Sequence, residues 1–403
     1  MTRQVIPYAI VVLFGYIGFA LPLPILPQMF LDPVQSIVPH LSLQEKMIML
    51  GFLMASFPLG QFFGAPILGR LSDQVGRKKI ILYSLGGTTL GYLITAFSAH
   101  SAAPWGMFLG MGFCGFCEGN VTIGQSVIAD ISDEPSHKAR NFGILNACIA
   151  VGFIIGPLMG GQLADPSVVS WFTFATPFWM AACMTVLGMG VIYFYSKETL
   201  LHKPRGEWHF FTAIWKGFQT PKLPRLYIAN FFLALGYFSF FRFLPVLLEQ
   251  RFNFSPSSLS FVMVYGSLVM MISVLIFVPI MAKRLGSYRS LTLFSLLLAL
   301  SIALCAFPQT AYALWFTVPL AGICLSVTIT NGSLLISNTA SRDFQGQALG
   351  TLSSVQVLAE AITGFLGGLT AAKTDSLPLY TGAIMSLICC IILFQAKHRN
   401  HHA

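Results

Sequence analysis

Charge is scarce in this sequence: 9% of its 403 residues are Asp, Glu, Lys or Arg, where soluble domains carry roughly a quarter. That scarcity excludes a water-soluble globule, because 55% hydrophobic residues without charged faces cannot be hidden in one core and dissolve better in lipid. A G-x-x-x-x-G-K-[ST] phosphate loop is missing, so that kind of ATP site is excluded and energy must come from an ion gradient or the substrate's own gradient. The apolar runs hold no histidine and no G-x-S-x-G, which argues against an intramembrane enzyme, the reading from a different class. Cys114 and Cys117 form a CxxC, but no second pair or nearby His completes a zinc site. All eight cysteines lie in apolar runs or at their edges, and the CxxC pair reads as buried free thiols. Neither a metal nor a cofactor is expected.

What is present is a regular spacing of apolar runs. A helix needs about 20 mostly apolar residues to cross the hydrocarbon layer. Nothing charged lies between Arg3 and Asp32, Lys46 and Arg70, Arg140 and Asp165, Asp165 and Lys197, Arg251 and Lys283, or Asp375 and Lys397. Longer stretches fold back: Lys79 to Asp130, broken near SAHSAAP, and Arg289 to Arg342, broken near PQTA, hold two spans each. With Arg225 to Glu249 and Gln347 to Ala371, the total is twelve. Helices satisfy their own backbone groups in lipid, and these runs are too long and uniformly apolar for barrel strands. The fold class is therefore an all-α membrane protein of twelve transmembrane helices.

Orientation follows from the basic residues. With the N-terminus in the cytoplasm, 19 of the 23 Lys and Arg fall on that side, against Lys46, Arg251 and Lys373 on the other. Both termini are expected inside, in a bacterial inner (plasma) membrane. The net charge of +9 is then a topology signal and an attraction to anionic lipid, with no nucleic acid implied. A cleaved signal peptide is not expected, since the first apolar run has full membrane length.

Residues 196–225 interrupt the pattern with basic residues, prolines and aromatics. They read as a cytoplasmic linker with an amphipathic piece from Trp208 to Phe218, between six-helix bundles at 1–195 and 226–403. The halves resemble each other weakly. GRLSDQVG (Gly69 to Gly76) aligns with PIMAKRLG (Pro279 to Gly286), and GPLMGG (Gly156 to Gly161) with GFLGG (Gly364 to Gly368).

GRLSDQVGRKK resembles the G-x-L-x-D-x-x-G-R-[KR]-x loop of the major facilitator superfamily, and ACIAVGFIIGPLMGG resembles the fifth-helix signature of its drug/proton antiporters. IADISDEPSHKARNFGILNA and DFQGQALGTLSS are similar to cytoplasmic segments of tetracycline-type exporters. The resemblance implies two pseudo-symmetric six-helix bundles in the major facilitator fold. It also implies that Asp73 and Arg77, with Asp130 and Arg140 nearby, form a breakable cytoplasmic latch between the halves; the basic residues of this loop equally enforce topology. Gly69 and Gly76 are expected to let a helix and a tight turn approach their neighbours. Gly152, Gly156 and Gly160 recur every four residues as a groove for close helix packing, and Pro157 bends that helix. In the resembling family this helix seals the path on one side. Two departures keep the family's proton route from being copied across: Gly15 stands where those exporters carry a first-helix acid, ahead of PILP (Pro24 to Pro27), and Met111 where many antiporters have arginine.

Of fourteen carboxylates only Glu118 and Glu360 sit well inside spans, near the middles of helices four and eleven. Burying a charge there costs roughly 2.5–3.5 kcal/mol on insertion scales, so a function is the default expectation. Glu118 first and Glu360 second are the proton-carrying candidates. Arg242, the one basic residue inside a span, is expected to compensate either acid or attract an anionic substrate, unless its chain snorkels outward. Asn120, Gln125, Tyr237, Asn331 and Gln356 are candidate cavity-lining residues, although intramembrane amides more often bond a neighbouring helix.

The sequence thus points to a secondary active transporter: a proton-coupled exporter of small amphiphilic organic molecules working by alternating access. The second reading is an importer or facilitator of a specific metabolite such as an organic anion or siderophore. Expected partners are a small-molecule substrate, protons and membrane lipids, with the chain acting as a monomer.

Overall fold

The computed structural model describes residues 5–32, 35–131, 135–200, 223–307, 310–341 and 344–399. Most of the linker expected at 196–225, including Trp208 to Phe218, lies outside the described residues. Among those described there is no β-strand. The helices are α1 (Val5–Ala20), α2 (Leu26–Leu31), α3 (Leu43–Val75), α4 (Arg77–His100), α5 (Pro104–Cys117), α6 (Asn120–Asp130) and α7 (Pro135–Leu163). They continue with α8 (Thr176–Tyr195), α9 (Leu223–Phe252), α10 (Pro256–Ala306), α11 (Leu314–Thr339), α12 (Gln345–Ala371) and α13 (Leu377–Arg399).

Nine of the described helices are long and apolar enough to cross a membrane. The chain is an all-α, multi-pass membrane protein, and the remaining spans are accounted for by three departures from straight helices. α10 runs for 51 residues but folds at Gly286 (φ 75°, ψ 158°), so it supplies two crossings. α1 and α2 share the first crossing. α5 and α6 share the fourth, which is interrupted at Glu118 and Gly119 and is not the continuous helix expected from the sequence. Counted in this way the helices are consistent with twelve spans.

The weak internal repeat has a backbone counterpart. Gly76, between α3 and α4, has φ 128°, and Gly286, its partner in the aligned stretch, has φ 75°. They are the only described glycines with positive φ, and with ψ 143° and 158° they lie in an extended region that costs a β-carbon-bearing residue about 1–3 kcal/mol. In each half the second helix therefore ends at a turn that requires glycine.

The chain divides into two compact units. One comprises Met1–Ser42, Phe52–Glu207 and Phe254–Val264; the other comprises Leu43–Gly51, Trp208–Asn253 and Tyr265–Ala403. Each unit thus incorporates a short segment of the opposite sequence half.

In the first unit α7 lies against α1 along the expected glycine groove. A β-carbon at Gly152 or Gly156 would come within 2.6 Å of the Tyr16 or Ala20 β-carbon, and one at Gly160 within 2.0 Å of the Leu21 carbonyl oxygen. Backbones this close exchange dispersion contacts along their whole length, the main source of helix association in lipid. A second close crossing joins α3 to α5, where a β-carbon at Gly64 would meet the Phe116 oxygen at 1.8 Å. Gly69 differs from expectation: a β-carbon there would meet only Thr122 at 3.8 Å, an ordinary contact, so no close approach depends on it. A buried cluster of Tyr8, Val11, Leu68, Ile81, Leu85 and Val127 fills the space among α1, α3, α4 and α6.

In the second unit α9 is the central helix, buried over most of its length. It packs on α13, where Ser239 Oγ donates to the Pro378 carbonyl at 2.5 Å, and on α12, where Thr363 Oγ1 donates to the Leu235 carbonyl at 3.4 Å. The segment Leu43–Gly51 belongs here because Gly51 faces Gly368: a β-carbon on Gly51 would lie 2.5 Å from the Gly368 α-carbon.

Candidate functional site

Among the described residues, the membrane-spanning helices of the first unit hold one buried carboxylate, Glu118, and those of the second hold two, Glu360 and, near the end of α9, Glu249. In the first, α5 ends at Cys117, Glu118 adopts φ −76°, ψ 62°, and α6 restarts at Asn120. Two features produce the break. Gly119 is a weak helix former, and it must stay small, since a β-carbon there would meet the Leu68 side chain at 2.8 Å. Ser84 of α4 then occupies the gap: its hydroxyl donates to the Cys117 carbonyl at 2.5 Å and accepts from the Gly119 N–H at 3.2 Å. Glu118 is left 4% exposed, near enough to Tyr92, Cys114 and Cys117 for its charge to act on all three. Of the neighbouring candidates, Gln125 is exposed on α6, Met111 is buried, and the Asn120 side chain lies outside the described residues.

In the second unit Arg242 of α9 forms an ion pair with Glu360 of α12. Each residue is 5% exposed. This decides two alternatives left open by the sequence: Arg242 does not snorkel outward, and its partner is Glu360. Such a pair survives burial because each charge supplies the other's counter-ion and hydrogen bond. Tyr237 is buried on α9 within electrostatic reach of Glu360. Gln356 is half-buried one turn before Glu360 on the same face of α12. Asn331 is fully buried on α11. Its amide donates to the Val327 carbonyl of its own helix at 2.9 Å, while its carbonyl oxygen has no hydrogen-bond partner among the described residues.

The latch was expected between the halves; among the described residues the ion pairs of Arg77 lie inside the first unit. Arg77, only 8% exposed, pairs with Asp73, with Asp130 at 3.1 Å and with the Ser72 hydroxyl at 2.8 Å. Arg140 stands exposed on α7. A residue that sequence reasoning missed completes the cluster: the Glu198 carboxylate accepts from the Arg77 N–H at 2.8 Å and the Lys78 N–H at 3.1 Å. A carboxylate there opposes the positive end of the α4 dipole. Lys78 Nζ in turn donates to the Tyr193 and Ser196 carbonyls, both at 2.8 Å, where α8 ends.

After the C-terminus of α7 lies a second missed cluster. Asp165 accepts from the Ser167 N–H at 2.9 Å, the Ser167 hydroxyl at 2.6 Å and the Ser257 hydroxyl at 2.7 Å. Partial burial raises its carboxyl pKa, but these three hydrogen bonds outweigh that effect and bring it below the ordinary carboxylate value. Gln28 adds a hydrogen bond from its amide to the Phe254 carbonyl. Gly161 leaves room for Pro256 and Ser260, since a β-carbon would meet the Ser260 hydroxyl at 1.9 Å. Three points on α2, α7 and the following loop thus grip the segment Phe254–Val264. The only sequence signal was the GG pair at the end of α7.

The chain as a whole is similar to known proteins. The profile described as Major Facilitator Superfamily matches residues 8–321 and again 226–403. The tetracycline resistance protein, class C, of Escherichia coli is 27% identical over 94% of this chain and 95% of its own length. The class H protein of Pasteurella multocida is 34% identical over a shorter stretch, 43% of this chain and 41% of that protein. The quinolone resistance protein NorA of Staphylococcus aureus is 27% identical over 99% of this chain and 98% of its own. Among solved structures, the human organic anion transporter MFSD10 superposes with a TM-score of 0.69 at 20% identity, covering 97% of this chain and 99% of that one. The nucleoside transporter NupG superposes with a TM-score of 0.76 at 14% identity, with the same coverage.

Proposed function

We propose, on the premise that this chain belongs to the Major Facilitator Superfamily, that it is a proton-coupled exporter of small amphiphilic organic molecules. Relatives named for tetracycline and quinolone resistance support drug-like cargo and a bacterial inner-membrane location, and the one-sided distribution of Lys and Arg supports both termini in the cytoplasm. The observation that carries the reading is Glu118: a carboxyl 4% exposed at the interruption of a membrane helix. Discontinuous helices place irregular backbone only where it serves a site, and a buried intramembrane acid is a standard means of exchanging a proton for cargo.

In this scheme Glu118 takes a proton from the outer side and gives it up to the cytoplasm while cargo moves the other way. Glu360 is the second proton-carrying candidate. When it takes a proton its bond to Arg242 weakens, which couples the charge state to the α9–α12 contact. Tyr237, Gln356 and Asn331 line the cargo site, and the Asp73, Arg77, Asp130 and Arg140 group, with the glycine groove at Gly152, Gly156, Pro157 and Gly160, gates it. Bundles at 1–195 and 226–403, joined by the linker at 196–225, move against one another to alternate access. The anion-facilitator reading asks Arg242 to face the cargo, whereas Glu360 already matches its charge.

The test is transport by the full chain in proteoliposomes under an imposed pH gradient, with tetracycline and norfloxacin as probes. Wild-type protein should accumulate at least one of them, and Glu118→Gln should lower gradient-driven accumulation at least tenfold while leaving downhill exchange. Undiminished gradient-driven accumulation by Glu118→Gln would overturn Glu118 as the coupling acid.

A further inference from the structure

A broken helix in lipid exposes carbonyls at the end of one half and N–H groups at the start of the next, and each costs several kcal/mol if left unsatisfied. In a continuous helix the Glu118 and Gly119 N–H groups would bond the Cys114 and Gly115 carbonyls. Here the Glu118 N–H turns to the Gly115 carbonyl at 3.1 Å and the Gly119 N–H to the Cys117 carbonyl at 2.8 Å. That local turn is completed from another helix. Ser84 Oγ gives its hydrogen to the Cys117 carbonyl and a lone pair to the Gly119 N–H, so one hydroxyl, using both its donor and acceptor capacity, bridges the two sides of Glu118.

The hydroxyl is held in place. Ser84 is 1% exposed, and α4 presses closely on α5 through Gly87 and Gly91, where β-carbons would meet Cys117 Sγ at 2.3 Å and Cys114 Sγ at 2.6 Å. On the other side Leu68 confines Gly119. In the local sequence GFCEGN only Gly119 weakens the helix, by about 1 kcal/mol, which does not by itself dictate a break at this residue. The bridge from α4 fixes it there, and so fixes where the Glu118 carboxyl stands.

We propose that Ser84 is the positioning residue for Glu118: it holds the fourth span open at Cys117–Gly119 and thereby sets the environment in which Glu118 exchanges its proton. The proton role rests on the coupled-exporter reading above; the positioning of Glu118 does not.

The experiment therefore separates the two. The full chain, in nanodiscs and without cargo, is treated with a water-soluble carbodiimide, and modification of Glu118 is followed by peptide mass spectrometry. Ser84→Ala should change the modification rate at least fivefold relative to wild type, and Ser84→Thr should restore it to within about twofold. Thr95→Ala is the control: it removes a buried hydroxyl of the same helix that bonds its own Gly91 carbonyl, and it should leave the rate unchanged. It decides the matter should the extra methyl of Ser84→Thr not be accommodated. In proteoliposomes the pH profile of tetracycline or norfloxacin transport should shift in Ser84→Ala. An unaltered Glu118 rate in Ser84→Ala, with only a lower melting temperature, overturns the proposal. A changed rate together with full transport by Glu118→Gln keeps the positioning role and removes the proton role.

Discussion

Arg242 and Glu360 lie 118 positions apart in the chain, yet each is interpretable only through the other. Removing one partner of a buried pair strands the second charge and costs about 3–5 kcal/mol, whereas replacing both by apolar groups costs far less. Arg242→Leu and Glu360→Leu should each lower the thermal midpoint of detergent-solubilised protein sharply, and the double variant should be more stable than either single one. Additive losses would mean that the two charges do not compensate each other. The sequence made both residues conspicuous, as the rare ions in apolar runs, but offered Arg242 two acids and a route to the surface. Gly69 illustrates the reverse: its motif position suggested a close approach that packing does not require, because only Thr122 lies nearby.

At the scale of elements, the fourth span and the α1–α7 crossing respond to different rules. The glycine period of α7 was legible because its neighbours in space are neighbours at i+4 in sequence. It predicts a graded response: Gly160→Ala pushes a methyl onto the Leu21 carbonyl and should destabilise by about 1–3 kcal/mol as overpacking does. Gly143→Ala, with nothing within 4 Å on the same helix, should be neutral; comparing melting temperatures of the two checks this. The break at Glu118 was not legible, since composition through CGFCEGN reads as continuous helix and the bridging Ser84 comes from 33 residues upstream. A hydrogen bond to a distant hydroxyl leaves no periodicity to detect.

For the whole molecule the notable feature is that each compact unit holds a segment of the other sequence half. In the first unit Phe254–Val264 is gripped by Asp165, Gln28 and Gly161. Asp165 has a folded pKa below its ordinary value, so the anchoring it provides is fully present above the unfolded carboxylate pKa of about 3.9. It is lost only as pH falls through the lower, folded value. Asp165→Asn should therefore melt below wild type at pH 7, and the gap should close once the pH is taken below that window. A constant gap across pH would show that the carboxylate charge contributes nothing to holding the segment.

The sequence by itself determined the solvent and the fold class. Hydropathy and charge spacing act on each stretch of chain separately, and a run of apolar residues must become a helix in lipid wherever it is placed. It also determined which residues were costly enough in the membrane to need a purpose. Tertiary structure alone decided how those costs are met: Glu360 for Arg242, Ser84 for the gap beside Glu118, Glu198 for the start of α4. Such bonds join groups tens to more than a hundred residues apart. Their energy depends on distances of about 3 Å, which only the packing of helices against one another sets.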